Sequence, residues 1–171
     1  MIKLIGAVFI IVATTWIGFE ISRRFSERPR QLRALRTALQ SLEAEIMYGH
    51  TPLHEAARRL AEQLSMPLST FFESFSKKLT DTETTVRDAW ETSLREIWNS
   101  TALKQGEFEI MKQFGETLGR HDRMSQQKHI MLTLTHLERE EADAIQAQAT
   151  YEKMIKSLGF LSGLLLIILL F

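Results

Sequence analysis

The sequence predicts an all-α protein: an antiparallel six-helix bundle flanked by N- and C-terminal transmembrane helices, with the last bundle helix continuous with the C-terminal anchor. Three observations predict it. Helix breakers are scarce, with three Pro and eight Gly in 171 residues. Apolar residues through the middle of the chain recur at helical spacing, and no run of alternating β-branched residues competes with them. Both ends are strongly apolar, while the middle is charged. The expected division is a transmembrane anchor at 1–21, a cytoplasmic bundle at 22–156 and a second anchor at 157–171.

Composition excludes several functions. The chain carries 21 Lys+Arg against 21 Asp+Glu, so bulk charge offers nothing to nucleic acid. It has no Cys, hence no disulfide framework and no thiolate chemistry.

The first apolar run, Leu4 to Phe19, follows Lys3. Its sixteen residues make about 24 Å of helix, short of a hydrocarbon core of roughly 30 Å. Counting from Met1, and letting Arg23 and Arg24 snorkel, closes the gap. A cleaved signal peptide is the competing reading. Against it, no small-x-small site follows the run, where Trp16, Ile17, Phe19 and Glu20 stand instead. The flank is also positive. From Glu20 to Arg36 there are six Arg against two Glu, and such flanks stay on the cytoplasmic side. Arg23, Arg24, Arg28 and Arg30, with Lys153 and Lys156 beside the second apolar run, are therefore expected to set topology and touch lipid headgroups. An acidic protein partner is the other use for the arginines.

Pro29 is expected to part the anchor from the bundle, or to open the next helix. The first bundle helix then carries Leu32, Leu35, Ala38, Leu39, Leu42 and Ile46, and ends at Gly49. Thr51-Pro52 restarts the chain as N-cap and first helical residue, with Leu53, Ala56, Ala57, Leu60 and Leu64 inward. Pro67 starts a third helix, whose Leu68, Phe71, Phe72, Phe75 and Leu79 read as core. Asp81, Thr82 and Thr84 are capping candidates for a fourth, with Val86, Ala89, Trp90, Leu94 and Ile97 inward. Asn99-Ser100-Thr101 breaks it. The fifth carries Leu103, Phe108, Met111, Phe114 and Leu118, and ends at Gly119.

The sixth helix starts after Asp122, a candidate cap. Met124, Met131, Leu134, Leu137, Ile145, Ala149, Met154 and Ile155 form its expected inner stripe. Glu138-Arg139-Glu140-Glu141 is expected to face solvent. After Lys156 the side chains are apolar almost all round to Phe171. Gly159 and Gly163 form a G-x-x-x-G that lets backbones approach closely in lipid, with Gly18 of the first anchor as the natural partner.

Signatures of chemistry are absent. There is no Walker loop, nucleophile elbow or dinucleotide fingerprint. His136 and Glu140 lie four apart with His129 two turns earlier, a spacing that suits a metal but equally suits a solvated face. No catalytic residue, cofactor site or metal site is expected.

Several blocks carry a family likeness. They are Leu39 to Ala56, centred on Glu45-Ile46-Met47-Tyr48-Gly49-His50-Thr51-Pro52-Leu53, then Phe114 to Asp122, Leu158-Gly159, and Trp16 to Arg24. Together they resemble the stage III sporulation protein AB family of endospore-forming bacteria, over the whole chain. More loosely, the turn between the first two helices is similar to the cytoplasmic domain of the type II secretion inner-membrane platform protein F, a six-helix bundle.

The resemblance implies a non-enzymatic platform in the channel-like apparatus joining mother cell and forespore, in the mother-cell membrane around the forespore. It implies a cytoplasmic secretion-type ATPase, stage III sporulation protein AA, as partner. Other membrane proteins of the apparatus, the lipid membrane and a possible homo-oligomer complete the list. The corner Glu45, Tyr48, Gly49 and His50 is the candidate partner contact. A membrane-anchored scaffold recruiting a division or lipid-surface factor, with no ATPase, is the alternative.

Overall fold

The computed structural model describes residues 26–48, 51–81, 83–118 and 123–170; along the last stretch, side chains are described at 127–151, 153–155 and 158. These residues form six α-helices and no strand. They are α1 (26–48), α2 (Leu53–Gln63), α3 (Leu68–Leu79), α4 (Val86–Trp98), α5 (Gln105–Thr117) and α6 (Arg123–Leu170).

Local chemistry sets most boundaries. Residues 26–28 are already helical, so Pro29 lies inside α1 rather than at its boundary. Thr51 is not the cap of α2. Pro52, with φ −59° and ψ 143°, takes that place, and its carbonyl accepts from the backbone N–H groups of Glu55 and Ala56 at 3.0 Å. Pro67 likewise caps α3 instead of being its first residue, and its carbonyl accepts from Phe71 N at 3.2 Å.

The cap of α4 is Thr85, not Asp81 or Thr84 (Thr82 lies outside the described residues). Thr85 Oγ1 accepts from Asp88 N at 3.1 Å and donates to Asp88 Oδ2 at 2.7 Å. Asp81 instead braces the connection, its Oδ1 accepting from Glu83 N at 3.3 Å. Thr85→Ala is therefore expected to cost about 1 kcal/mol in a urea melt of the detergent-solubilised chain. Thr84→Ala should lose much less.

The core follows the predicted stripes. Leu32, Leu35, Ala38, Leu39 and Leu42 of α1 are buried, as are Ala56, Ala57 and Leu60 of α2. At the centre, Trp90 is closed in by aromatic rings. Phe71 and Phe75 meet it edge-on with centroids 4.8 and 5.0 Å away, and Phe114 tilts against it at 5.1 Å. Its indole N–H donates to the Met111 carbonyl at 2.8 Å, so the one polar atom of this buried side chain is satisfied.

Contacts give the helix directions. Arg87 reaches Glu116, Lys112 reaches Glu91, and Trp98 packs on Phe108, so α4 and α5 are antiparallel. The Ser76 hydroxyl near the end of α3 donates to the His54 carbonyl at the start of α2, so these are antiparallel too. Two ion pairs add support, one between α3 and α4 and one within α4. The Glu96 carboxyl is held below the usual range by hydrogen bonds from Lys78 and Ser74, and that of Glu91 by Arg95.

The last helix departs from its expected stripe. Leu134 and Leu137 are buried, but Ile130 and Ala144 complete the inner face. Met131 and Ile145 are 53% and 43% exposed, and Ala149, Met154 and Ile155 are exposed as well. Ile130 and Met131 are adjacent and both apolar, so periodicity alone could not choose between them. Among the described residues no helix is long and apolar enough to cross a membrane. The expected anchor at 1–21, the cap Asp122 and the side chains of 159–171 lie outside the described residues.

Candidate functional site

Three arginines of α1 point along one side toward α5 and α6. Arg28 is buried. Its guanidinium donates from Nε to Glu107 Oε1 at 2.9 Å, makes a second, short contact from Nη2 to the same oxygen, and bridges from Nη2 to Glu140 Oε2 at 2.8 Å. Arg33 Nε donates to Glu141 Oε1 at 2.8 Å. Arg36 Nη1 lies 3.4 Å from Glu138 and 3.3 Å from Glu141 Oε2. The spacing is regular. Ser26 meets Gln148 at 3.4 Å, seven residues further Arg33 meets Glu141, and three further Arg36 meets Glu138. Helices α1 and α6 are thus antiparallel and in fixed register.

Glu107 holds the seam to the rest of the bundle. It is fully buried, and its second oxygen accepts from Lys104 N at 2.5 Å, capping the first turn of α5. Next to it the buried Gln31 accepts from Ala102 N at 2.8 Å. One side of α1 therefore ties down the α4–α5 connection and α6 together. A carboxylate out of water is costly unless paired and hydrogen-bonded. Glu107 has both forms of support, from a guanidinium and from a helix N-terminus. Glu141 is nearly as enclosed. Arg33 serves one of its oxygens, while the other has only the ionic contact with Arg36 and no hydrogen-bond donor.

This changes two expectations. Arg28, expected at the lipid surface, is inside the protein, because Glu107 and Glu140 pull its guanidinium inward. Of the Glu138–Glu141 run, expected in solvent, Glu138 and Arg139 are exposed, whereas Glu140 is half-buried and Glu141 buried against the arginines of α1. Among the described arginines of the run, Arg33 and Arg36 pair with the last helix and Arg28 with both α5 and α6.

The other expected residues fall as follows. Arg30 is 68% exposed beside Glu27, and Lys153 is exposed. Tyr48 is 80% exposed at the end of α1, with Glu45 half-buried. Arg23, Arg24, Lys156, Gly18, Gly49, His50, Gly159 and Gly163 lie outside the described residues. His129 and His136 are exposed, Glu140 is engaged by Arg28, and no group of three His, Asp or Glu that could hold a metal occurs among the described residues. Sequence reasoning missed Glu107 and Gln31. Glu107 sits at the third position of its helix, a usual place for a capping acid, but Lys104 three residues before it is not a usual cap and hides the signal.

A groove of about 840 Å³ opens where the start of α1, the α2–α3 turn and the α4–α5 connection converge, with Arg30, Met66 and Ala102 on its walls. Ser26 at the start of α1 and Gln148 of α6 meet at one end of the seam. Fold and seam define a class: a helical-bundle domain whose first and last described helices are tied together, antiparallel, by paired charges.

The comparisons with known proteins agree on one family within that class. The family model for stage III sporulation protein AB matches residues 3–171. A stage III sporulation protein AB of Bacillus subtilis is 65% identical over 170 residues, 99% of each chain. A solved structure of a stage III sporulation protein AB superposes with a TM-score of 0.71 at 61% identity, over 72% of this chain and 98% of that one. The chain belongs to the stage III sporulation protein AB family. That family is named for a stage of sporulation rather than for a reaction.

Proposed function

We propose that this protein is a non-enzymatic, membrane-anchored adaptor of the sporulation channel apparatus between mother cell and forespore. The bundle lies in the mother-cell cytoplasm and couples a secretion-type ATPase, stage III sporulation protein AA, to membrane components. The apolar segments at 1–21 and 157–171 are its anchors, with Gly18 packing near Gly159 and Gly163. Arg23, Arg24 and Arg30, with Lys153 and Lys156, hold the bundle on the cytoplasmic side.

One observation carries the reading. Helix α6 is a single helix of 48 residues, about 72 Å long. Its first half is built into the bundle by Ile130, Leu134, Leu137 and Glu141, and its far end is the apolar run. A force applied to the bundle therefore has an unbroken helix along which to reach that run. The exposed corner at Tyr48, at the opposite end of α1, is the surface left free for the motor.

Crosslinking in sporulating cells followed by partner identification tests this. The ATPase is expected among the crosslinked proteins, and charge reversal at Glu45 with Tyr48→Ala should remove it while the bundle still folds. Membrane partners captured without any ATPase would leave only a passive scaffold. Protease protection that places the bundle on the far side of the membrane would reverse the assigned orientation.

A further inference from the structure

Among the described residues, no large apolar side chain of α2 to α5 is exposed, whereas α6 exposes Met131, Leu132 and Ile145 at 53%, 49% and 43%. They lie off the buried stripe of Ile130, Leu134, Leu137 and Ala144. We infer that the outward face of α6 is a docking surface for an acidic amphipathic helix of another protein, laid alongside α6 as in a coiled coil. The inference goes beyond the proposed function and requires neither its motor nor its membrane setting, so the two fail separately.

Spacing defines the face. Lys128, Leu132, Thr135, Arg139, Ala142 and Gln146 follow one another by alternating steps of four and three residues, and all are exposed. Such steps average the 3.5 residues that keep a seam turned toward a neighbouring helix. Ala149 continues the ladder and is exposed too. The Thr135 hydroxyl donates to the Met131 carbonyl at 2.9 Å, so it is spent within its own helix. Thr135, Ala142 and Ala149 recur every seven residues, and their small side chains let a second helix axis come close.

Charge defines the partner. Among the described side chains, the lysines and arginines in no ion pair are Lys104, Lys128, Arg139 and Lys153. Each of the others has a carboxylate within 3.7 Å. Three of the four unpaired cations are on α6, and all three are exposed. They follow at eleven and fourteen residues, close to three and four helical turns, so they project from one face. Asp143 borders that face, one turn from Arg139, and does not pair with it. Unpaired cations set along a small and apolar seam call for carboxylates on the opposing helix. A second copy of this chain does not supply them. Laid parallel, it sets Arg139 against Arg139. Laid antiparallel with the ladders in register, it sets Lys128 against Lys153, and like charges meet in both cases.

The full chain with p-benzoylphenylalanine in place of Ala142 or Gln146 is irradiated in sporulating cells, and the crosslinked peptide is sequenced. Both positions are expected to join one other protein, within a segment of helical period that carries Asp or Glu eleven residues apart. The same probe in place of Glu62, on the exposed side of α2, should not form this adduct. Arg139→Glu and, separately, Lys128→Glu should each reduce the adduct at least tenfold with the urea melt unchanged. Lys in place of the mapped carboxylate should restore it to the Arg139→Glu chain. A segment without carboxylates, an adduct with a second copy or with lipid, the same adduct from Glu62, or no adduct overturns the inference. So does an adduct indifferent to charge reversal, or a loss that the reversed carboxylate leaves unrestored.

Discussion

Arg28→Met is expected to destabilise the bundle by about 3–5 kcal/mol, because it leaves Glu107 as a buried charge with no cation beside it. The loss is not that of a surface ion pair, which is worth at most about 1 kcal/mol. Arg28 is 8% exposed and Glu107 is fully buried, so water cannot replace the guanidinium. Glu107 also caps α5 through Lys104 N, so the damage should spread to the α4–α5 connection and to the Gln31 contact with Ala102.

The signature is non-additivity. Glu107→Gln removes the charge but keeps a side-chain oxygen for Lys104 N. The double variant Arg28→Met with Glu107→Gln should therefore recover part of what Arg28→Met loses, since no unpaired charge remains. By contrast Arg30→Met, at an exposed site, should shift stability by no more than about 0.5 kcal/mol. Urea melts of the full chain in detergent, followed by tryptophan fluorescence, measure all four. An Arg28→Met melt matching that of Arg30→Met would show that the buried pair does not hold the seam.

Gly115→Ala is expected to cost about 1–3 kcal/mol or more, by overpacking. In an open helix the same change gains up to about 1 kcal/mol from propensity. The sign reverses here because a Cβ on Gly115 would lie 2.2 Å from Trp90 Cδ1 and 2.7 Å from its Cγ. Trp90 cannot retreat easily. Phe71, Phe75 and Phe114 surround it, and its indole N–H is committed to the Met111 carbonyl. Gly106 supplies the internal comparison, because a Cβ there meets nothing within 4 Å. Gly106→Ala should be neutral or stabilising, so two glycine-to-alanine changes in one helix should move the melting curve in opposite directions. A stabilising Gly115→Ala would mean that the tryptophan is free to move.

The helices were legible because their signals are local. The stripe from Leu32 to Leu42, the phenylalanines of α3, Trp90 and Leu94, and Met111 and Phe114 all lie inward as their spacing predicts. Local signals blurred at the helix starts. There Pro52, Pro67 and Thr85 each displaced the expected boundary or cap by a residue or more, because several neighbouring residues can serve as a cap. The family likeness was legible too, and 65% identity over 99% of the chain bears it out.

The amino-acid sequence by itself determined that the described residues fold as six helices, that the chain belongs to the stage III sporulation protein AB family, and which face of α1 through α5 is buried. Helical period and family-specific blocks are properties of neighbouring residues. Only the tertiary structure decided the fate of its charges. Arg28 reads as one more arginine in a basic run until Glu107 and Glu140, 79 and 112 residues away, arrive beside it. The same holds for Gly115 and the indole it accommodates. A pairing between distant segments leaves no periodic trace, because its energy exists only after the helices have packed.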